Sequence, residues 1–326
     1  MRVVIPDDIT GAYGGSAETG RLRAIADVQI FGSHVANADD LLARVRDADI
    51  ILSFRPAFTR FPATVIEASP ELSMICISGT GVEDVDVAAA TKRGIAVANV
   101  VGSSNRAVAE HALALMLDVA RRVADQDRAI RAGDWEAQQG IELGGKTIGI
   151  VGLSAIAQNL APLCNGIGLR VLSWSRNNDP ARARAVGAEA VEFDQLLSES
   201  DVVSLHVRLS PSLVGFFGKD TFAKFKPGAI FINTARGELV DEVALAAALE
   251  SGHLRGAGLD VFAKQPLPAD HPFRKLSNVV MTPASAWNTF DASARMIRQS
   301  IDNVIGFIDH RPINVVNPAV LTGATS

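Results

Sequence analysis

The chain predicts an α/β protein of two doubly wound domains, each built on a parallel sheet. Three observations carry that expectation. Short Val- and Ile-rich runs alternate with helical segments twice along the sequence, as parallel sheets covered on both faces require. With 326 residues the chain exceeds what one compact domain usually holds. A glycine-containing turn between strand and helix opens the second alternating series at residue 152.

In the first series "RVVIP" (2–6), "DVQIFG" (27–32), "DIILSF" (49–54), "SMICIS" (73–78) and "IAVANV" (95–100) read as buried strands. Between them "ADDLLARVRDA" and "DVDVAAATKRG" have helical spacing, the second stopped by Gly94. Residues 103–122 predict the longest helix, with Ser103 or Ser104 to cap its start and Arg121 and Arg122 to complement the dipole at its end. The polar, aperiodic segment 132–146 predicts an extended arm. Strands follow at "TIGIVGL", 170–175, 201–207, 229–235, 256–262 and 278–283. "DEVALAAALESG" predicts a helix with Asp241 as N-cap and Gly252 just past its end, and the tail from Ser293 to about His310 is again helical in pattern.

Composition narrows the partners. Hydrophobic content is 48%, charged content 21% and the net charge −5, with no Lys/Arg cluster, so no nucleic-acid partner is expected. Cys76 and Cys164 stand in apolar settings without a C-x-x-C pair, which predicts buried thiols and no metal site. "RVVIPDD" places acids where a signal peptide needs its apolar run. "ALALMLDVA" is interrupted by Asp118 and too short to span a bilayer. The expectation is a cytoplasmic protein with no membrane partner.

The strand "TIGIVGL" feeds Gly152-Leu153-Ser154-Ala155-Ile156-Ala157 and then a helix, the place for the G-x-G-x-x-G turn that carries a dinucleotide pyrophosphate. Gly152 makes the bend and Ala157 is an accepted third residue. Ser154 stands where the second Gly lets backbone approach phosphate, although its hydroxyl can donate to one. Pro162 adds an irregularity in the following helix. The next strand ends Trp174-Ser175-Arg176-Asn177-Asn178, without the acid that an NAD-selective site presents to the ribose. Ser175 and Arg176 suit a 2′-phosphate instead, so NADP is expected before NAD.

The pieces "SGTGVEDVDVAAATKRGIAVANV", "AVAEHALALML", "KPGAIFINTARGELVDEVALAAAL", "GAGLDVF" and "PLPADHP…NVVMTP", in order and at family spacing, resemble the D-isomer-specific 2-hydroxyacid dehydrogenases. This group includes phosphoglycerate, glyoxylate, formate and phosphite dehydrogenases. The resemblance covers most of residues 74 to 318. It implies Rossmann- and flavodoxin-like domains, with a substrate domain of residues 1–100 plus 291–326, a dinucleotide-binding domain of residues 101–290, an active site in the cleft between them, and a homodimer. It implies that Arg236 binds a substrate carboxylate and polarises its carbonyl, and that the turn Gly79-Thr80-Gly81-Val82 holds the same carboxylate. Thr234, Ala235 and Asp260 resemble contacts around the nicotinamide, and Ala155 and Ile156 contacts at the pyrophosphate. His206 is read either as a cofactor contact or as a histidine hydrogen-bonded in place.

Two positions depart from the family. Gln265 and Ala284 stand where the family carries the Glu and His of its proton-transfer pair. Another donor has moved in, with Lys264, Trp287, Asn288, Asp291 and ordered water as the local inventory; or the reaction needs no proton exchange, as in formate oxidation; or activity is impaired. Arg208 stands where the family often has Pro. The expected function is an NAD(P)-dependent oxidoreductase acting on a small 2-hydroxy or 2-oxo acid. The alternatives are a formate- or phosphite-like enzyme and a non-catalytic NAD(P)-binding protein.

Overall fold

The structure, a computed structural model, describes residues 1–54, 57 and 59–322. The chain divides into two compact units, Met1–Ser104 with Thr289–Ser326, and Asn105–Asn288. The divisions fall four residues after and two before the positions expected from sequence, because the 105–121 helix and the tail helix each begin at a unit's edge.

The first unit holds five strands, β1 (Arg2–Ile5), β2 (Asp27–Ile30), β3 (Ile50–Ser53), β4 (Met74–Ile77) and β5 (Ala96–Asn99). They form one parallel sheet in the order β2-β1-β3-β4-β5, the flavodoxin-like arrangement. Every residue of β3, β4 and β5 is buried, which is why these strands read as unbroken apolar runs and not as alternations. One face is covered by the tail helix, Phe290–Ile308, through Met296, Ile297, Ile301 and Val304. This helix belongs to the first unit although it follows the second in sequence. Tyr13 is fully buried there, its hydroxyl 2.7 Å from Ser300 Oγ on the same helix.

The second unit holds β6 (Thr147–Val151), β7 (Arg170–Trp174), β8 (Glu189–Ala190), β9 (Val202–Leu205), β10 (Ala229–Asn233), β11 (Leu254–Leu259) and β12 (Val279–Met281). The order is β12-β11-β10-β9-β6-β7-β8, all pairs parallel, with strand order reversing between β6 and β9. Such a reversal opens the crevice in which Rossmann folds bind dinucleotides. The two-residue edge strand β8 was not read from sequence, being too short to show a period.

The long helix runs Asn105–Arg121 and stops one residue earlier than expected. Arg122 takes a left-handed conformation (φ 56°), and a separate helix, Val123–Ala132, follows with the Asp118 carboxylate accepting from Ala124 N–H at 2.8 Å. The Glu242–Glu250 helix begins as expected: Asp241 accepts from the N–H groups of Val243 and Ala244.

The Asn105–Arg121 helix crosses β11 antiparallel at unusually close range. A Cβ at Gly256 would lie 2.8 Å from Val119 Cγ1, and one at Gly258 2.8 Å from Leu115 Cβ. Four residues of helix advance about 6.0 Å. Two residues of strand advance about 6.6 Å. The row Val119, Leu115, His111 therefore keeps step with Gly256, Gly258, Asp260. That register sets part of the site.

Candidate active site

The sequence-selected residues of the second unit follow the C-terminal ends of β6, β7, β9, β10, β11 and β12, so they share one edge of the sheet. At β6, Gly152 has φ 94°, and a Cβ there would lie 2.6 Å from Val207 Cγ1 and 2.9 Å from the His206 carbonyl. Only glycine fits. Ser154 is the N-cap of the Ala155–Gly166 helix, its hydroxyl accepting from Ala157 N–H at 3.4 Å. The hydroxyl thus occupies a capping position and keeps its own hydrogen to donate. Ala155 is exposed and Ile156 half-buried at the start of this helix. Pro162 lies inside the helix without ending it.

Beyond β7, Ser175 is half-buried and Arg176 exposed, with no ion pair among the described residues. His206, after β9, is buried with Nε2 2.9 Å from Ser204 Oγ. Burial pushes its pKa down to about 4, so the ring is neutral at ordinary pH.

At β10, Asn233 shapes the turn that carries Arg236. Its Oδ1 accepts from Ala235 N–H at 3.0 Å and its Nδ2 donates to the Arg236 carbonyl at 2.9 Å. Gly237 then packs backbone against backbone on Phe262 and Ala263, leaving no room for a Cβ. The Arg236 turn and the loop bearing Gln265 are thereby held together. Glu242 secures that loop, accepting from Ala263 N–H at 3.0 Å while its other oxygen lies 3.3 Å from His271 Nε2. The Arg236 guanidinium is exposed and donates to the carbonyl of Ala235 at 2.7 Å. Beside it Thr234 is buried, and its hydroxyl has no hydrogen-bond partner among the described residues. Gln265 is exposed and donates to the Phe262 carbonyl at 3.2 Å.

Asp260, 3% exposed at the end of β11, organises the turn after β12. One oxygen accepts from Thr282 Oγ1 at 2.6 Å and Ser285 N–H at 2.8 Å, the other from Ala286 N–H at 3.0 Å. Its main-chain oxygen accepts from Ala284 N–H at 2.8 Å. Ala284, at the centre of this turn, has φ 52°, a region where His, Asn and Asp are enriched and a methyl side chain is unusual. His111, from the long helix, reaches the same place: its Nε2 is 2.9 Å from Thr282 Oγ1 and 3.5 Å from the Asp260 oxygen.

The remaining sequence-selected positions are dispersed. Lys264, Arg208 and Asn288 are exposed, and Trp287 is half-buried. Asp291 lies in the first unit, on the tail helix. The turn 79–82 also belongs to the first unit. There Gly79 N–H donates to the Ile77 carbonyl, Thr80 Oγ1 to the Val100 carbonyl, and Asn99 Nδ2 to the Thr80 carbonyl. Sequence reasoning passed over His111, Asn233, Thr282 and Glu242. A signal for His111 was available, since it stands four and eight residues before Leu115 and Val119 while "GAGLD" spaces its glycines and acid by two.

These residues fit a pyridine dinucleotide: a glycine bend at the crevice, a capped helix start, and, at the end of β10 on the same side of the sheet, a buried hydroxyl without a partner among the described residues. Among the described residues no group of side chains could hold a metal ion, and no helix is long and apolar enough to cross a membrane. Fold and site together define a dinucleotide-dependent α/β oxidoreductase.

Comparison with known proteins makes this specific. Residues 113–286 match the model of the D-isomer specific 2-hydroxyacid dehydrogenase NAD binding domain. A D-3-phosphoglycerate dehydrogenase of Mycobacterium leprae is 44% identical over 257 residues, 78% of this chain and 48% of that protein. A glyoxylate reductase of Thermococcus litoralis is 38% identical over 294 residues, covering 87% of this chain and 88% of that one. Among solved structures, an acyclic imino acid reductase in complex with NADPH and D-Arg superposes with a TM-score of 0.84 at 28% identity, covering 97% of this chain and 100% of that one. The chain belongs to the D-isomer specific 2-hydroxyacid dehydrogenase family, an enzyme family. It spans about half the length of the phosphoglycerate dehydrogenases it matches.

Proposed function

We propose that the chain reduces a small 2-oxo acid with a reduced nicotinamide dinucleotide, NADPH before NADH. The observation that carries this reading is Arg236. Its exposed guanidinium, bonded only to a neighbouring carbonyl among the described residues, stands at the strand edge beside the unpartnered Thr234 hydroxyl. A planar fork in that position suits bidentate binding of a carboxylate and polarisation of the adjacent C=O. A bound reduced nucleotide supplies the hydride. In this reading Gly152, Ser154, Ala155 and Ile156 border the pyrophosphate, while Ser175 and Arg176 meet a 2′-phosphate. Thr234, Ala235 and Asp260 border the nicotinamide, and His206 the adjoining ribose. The turn Gly79-Thr80-Gly81-Val82 serves as a second carboxylate contact, through groups other than the Gly79 N–H. A cytoplasmic homodimer is part of the same proposal.

A second reading is favoured by Ala284, whose methyl group exchanges no proton. It is a reaction whose substrate needs none from the protein, such as formate or phosphite oxidation.

Assay of glyoxylate, hydroxypyruvate, formate and phosphite with both cofactors separates the two. Turnover of the 2-oxo acids supports the first reading; turnover of formate or phosphite alone supports the second. Dinucleotide binding without any turnover removes both. Arg236→Gln is expected to lower kcat/KM for a 2-oxo acid by about 10²-fold or more, the loss of a charge-assisted bidentate contact. Arg176→Asp is expected to move preference towards NAD, and an unchanged ratio removes the NADP assignment. Ala284→His with Gln265→Glu is expected to raise 2-oxo-acid reduction by about 10-fold or more.

A further inference from the structure

His111 stands out among the six histidines of the chain by what holds its ring: a hydroxyl and a carboxylate that also organise the turn bearing Ala284. His206 is buried on Ser204, and His253 is bonded to the Phe222 carbonyl. His271 has Nε2 on Glu242 and Nδ1 accepting from Phe273 N–H, so both ring nitrogens are engaged. His34 and His310 belong to the first unit. His111 has Nε2 engaged by Thr282 and Asp260, and its Nδ1 has no partner among the described residues. Its side chain is 24% exposed.

The hydrogen bonds fix its tautomer. The Thr282 hydroxyl is 2.6 Å from the Asp260 oxygen and donates to it. The Thr282 oxygen therefore accepts from His111 Nε2–H at 2.9 Å, with the Asp260 carboxylate 3.5 Å from the same nitrogen. A hydroxyl bonded to one ring nitrogen, with a carboxylate close behind it, orients the imidazole and leaves the other nitrogen to exchange a proton. That is the arrangement the Gln265 and Ala284 positions do not provide, and it is built on Asp260, whose other bonds hold the turn carrying Ala284.

We propose that His111, held by Asp260 and Thr282, is the proton-exchanging residue of this site. The inference rests on the 2-oxo-acid reading above. In reduction, a bound reduced nucleotide would supply a hydride, losing one C–H bond and being left oxidised; as the new C–H bond forms on the substrate, the C=O π pair moves onto oxygen, and that oxygen takes the proton from His111 Nδ1–H. The ring is left neutral, with its remaining proton on Nε2 facing Thr282, and regains a proton from solvent. Oxidation of the hydroxy acid runs the same steps backwards.

The test uses His111→Gln in the full chain, since Gln keeps a donor towards Thr282 but cannot exchange a proton. Three readouts are compared with the unaltered protein: NADPH affinity by fluorescence titration, affinity of the NADPH complex for the unreactive 2-oxo acid analogue oxamate, and kcat for glyoxylate. The expected result is NADPH and oxamate affinities within threefold and kcat down by about 10²-fold or more. In the Ala284→His/Gln265→Glu background the same substitution is expected to change kcat by less than about threefold, because a second imidazole then does the work. A His111→Gln protein that keeps kcat within threefold overturns the inference. So does one that loses cofactor affinity and kcat together, which marks a positioning role. If the unaltered protein binds no dinucleotide, or binds it and turns over no 2-oxo acid, the reading of the site fails, and this inference with it. Turnover that survives His111→Gln overturns the inference alone.

Discussion

Replacing Asp260 by Asn tests the organisation of the site without changing its shape. The carboxylate accepts from two main-chain N–H groups, Ser285 on one oxygen and Ala286 on the other, and from the Thr282 hydroxyl. An amide has one oxygen. Whichever way it turns, its NH2 group faces one of those N–H groups and a buried donor is left without an acceptor. Stranding such a donor costs about 1–3 kcal/mol. The remaining bonds fall from charge-assisted to neutral strength, adding about 1 kcal/mol. The expected destabilisation of the second unit is about 2–4 kcal/mol, a drop of roughly 5–15 °C in its melting transition for a domain of this size. Differential scanning calorimetry measures it, with Trp fluorescence identifying the transition. A shift below about 2 °C would mean that the turn after β12 does not depend on Asp260, and the account of how Ala284 and His111 are positioned would fail.

Three further outcomes follow from the same structure. Gly258→Ala puts a Cβ 2.8 Å from Leu115 Cβ and 2.9 Å from Ile232 Cδ1, and is expected to cost about 1–3 kcal/mol in chemical denaturation; a neutral effect would show that helix and strand are not packed that closely. Ala284→Gly relieves a left-handed conformation worth about 1–2 kcal/mol and gives back about 0.4–1 kcal/mol in unfolded-state freedom, so a small gain in melting temperature is expected and a loss would refute it. His206 has its pKa lowered by burial from 6.5 to about 4 in the folded chain, so the unfolded chain binds its proton more tightly. Its contribution is fully present above pH 6.5 and is lost as pH falls towards 4, by about 3 kcal/mol. His206→Gln should flatten the stability profile over that window; a profile unchanged from the parent would place the acid sensitivity elsewhere.

Much of the fold was legible because it rests on local pattern. β3, β4, β5 and β10 are buried along their whole length and appear as apolar runs, and Asp241 marks its helix start through bonds made within three residues. The edge strand β8 and the break at Arg122 were not legible, the first because two residues carry no period and the second because a left-handed Arg has no composition signal. The glycine bend could be read for a similar reason: Gly152 is demanded by its own φ and by the backbone at the end of the adjacent strand β9, and its neighbours in sequence announce the turn.

The sequence by itself determined the two parallel-sheet domains and the strand–turn–helix at Gly152, and its family resemblance singled out Arg236, Gln265 and Ala284 as candidate site positions. Tertiary structure alone decided which imidazole shares a carboxylate with the turn bearing Ala284. His111 and Asp260 are separated by most of the second unit in sequence. The four-residue spacing of the one and the two-residue spacing of the other become a match only when the helix lies on the strand, because the advance of every fourth residue of a helix nearly equals that of every second residue of a strand and because Gly256 and Gly258 let the two backbones come close.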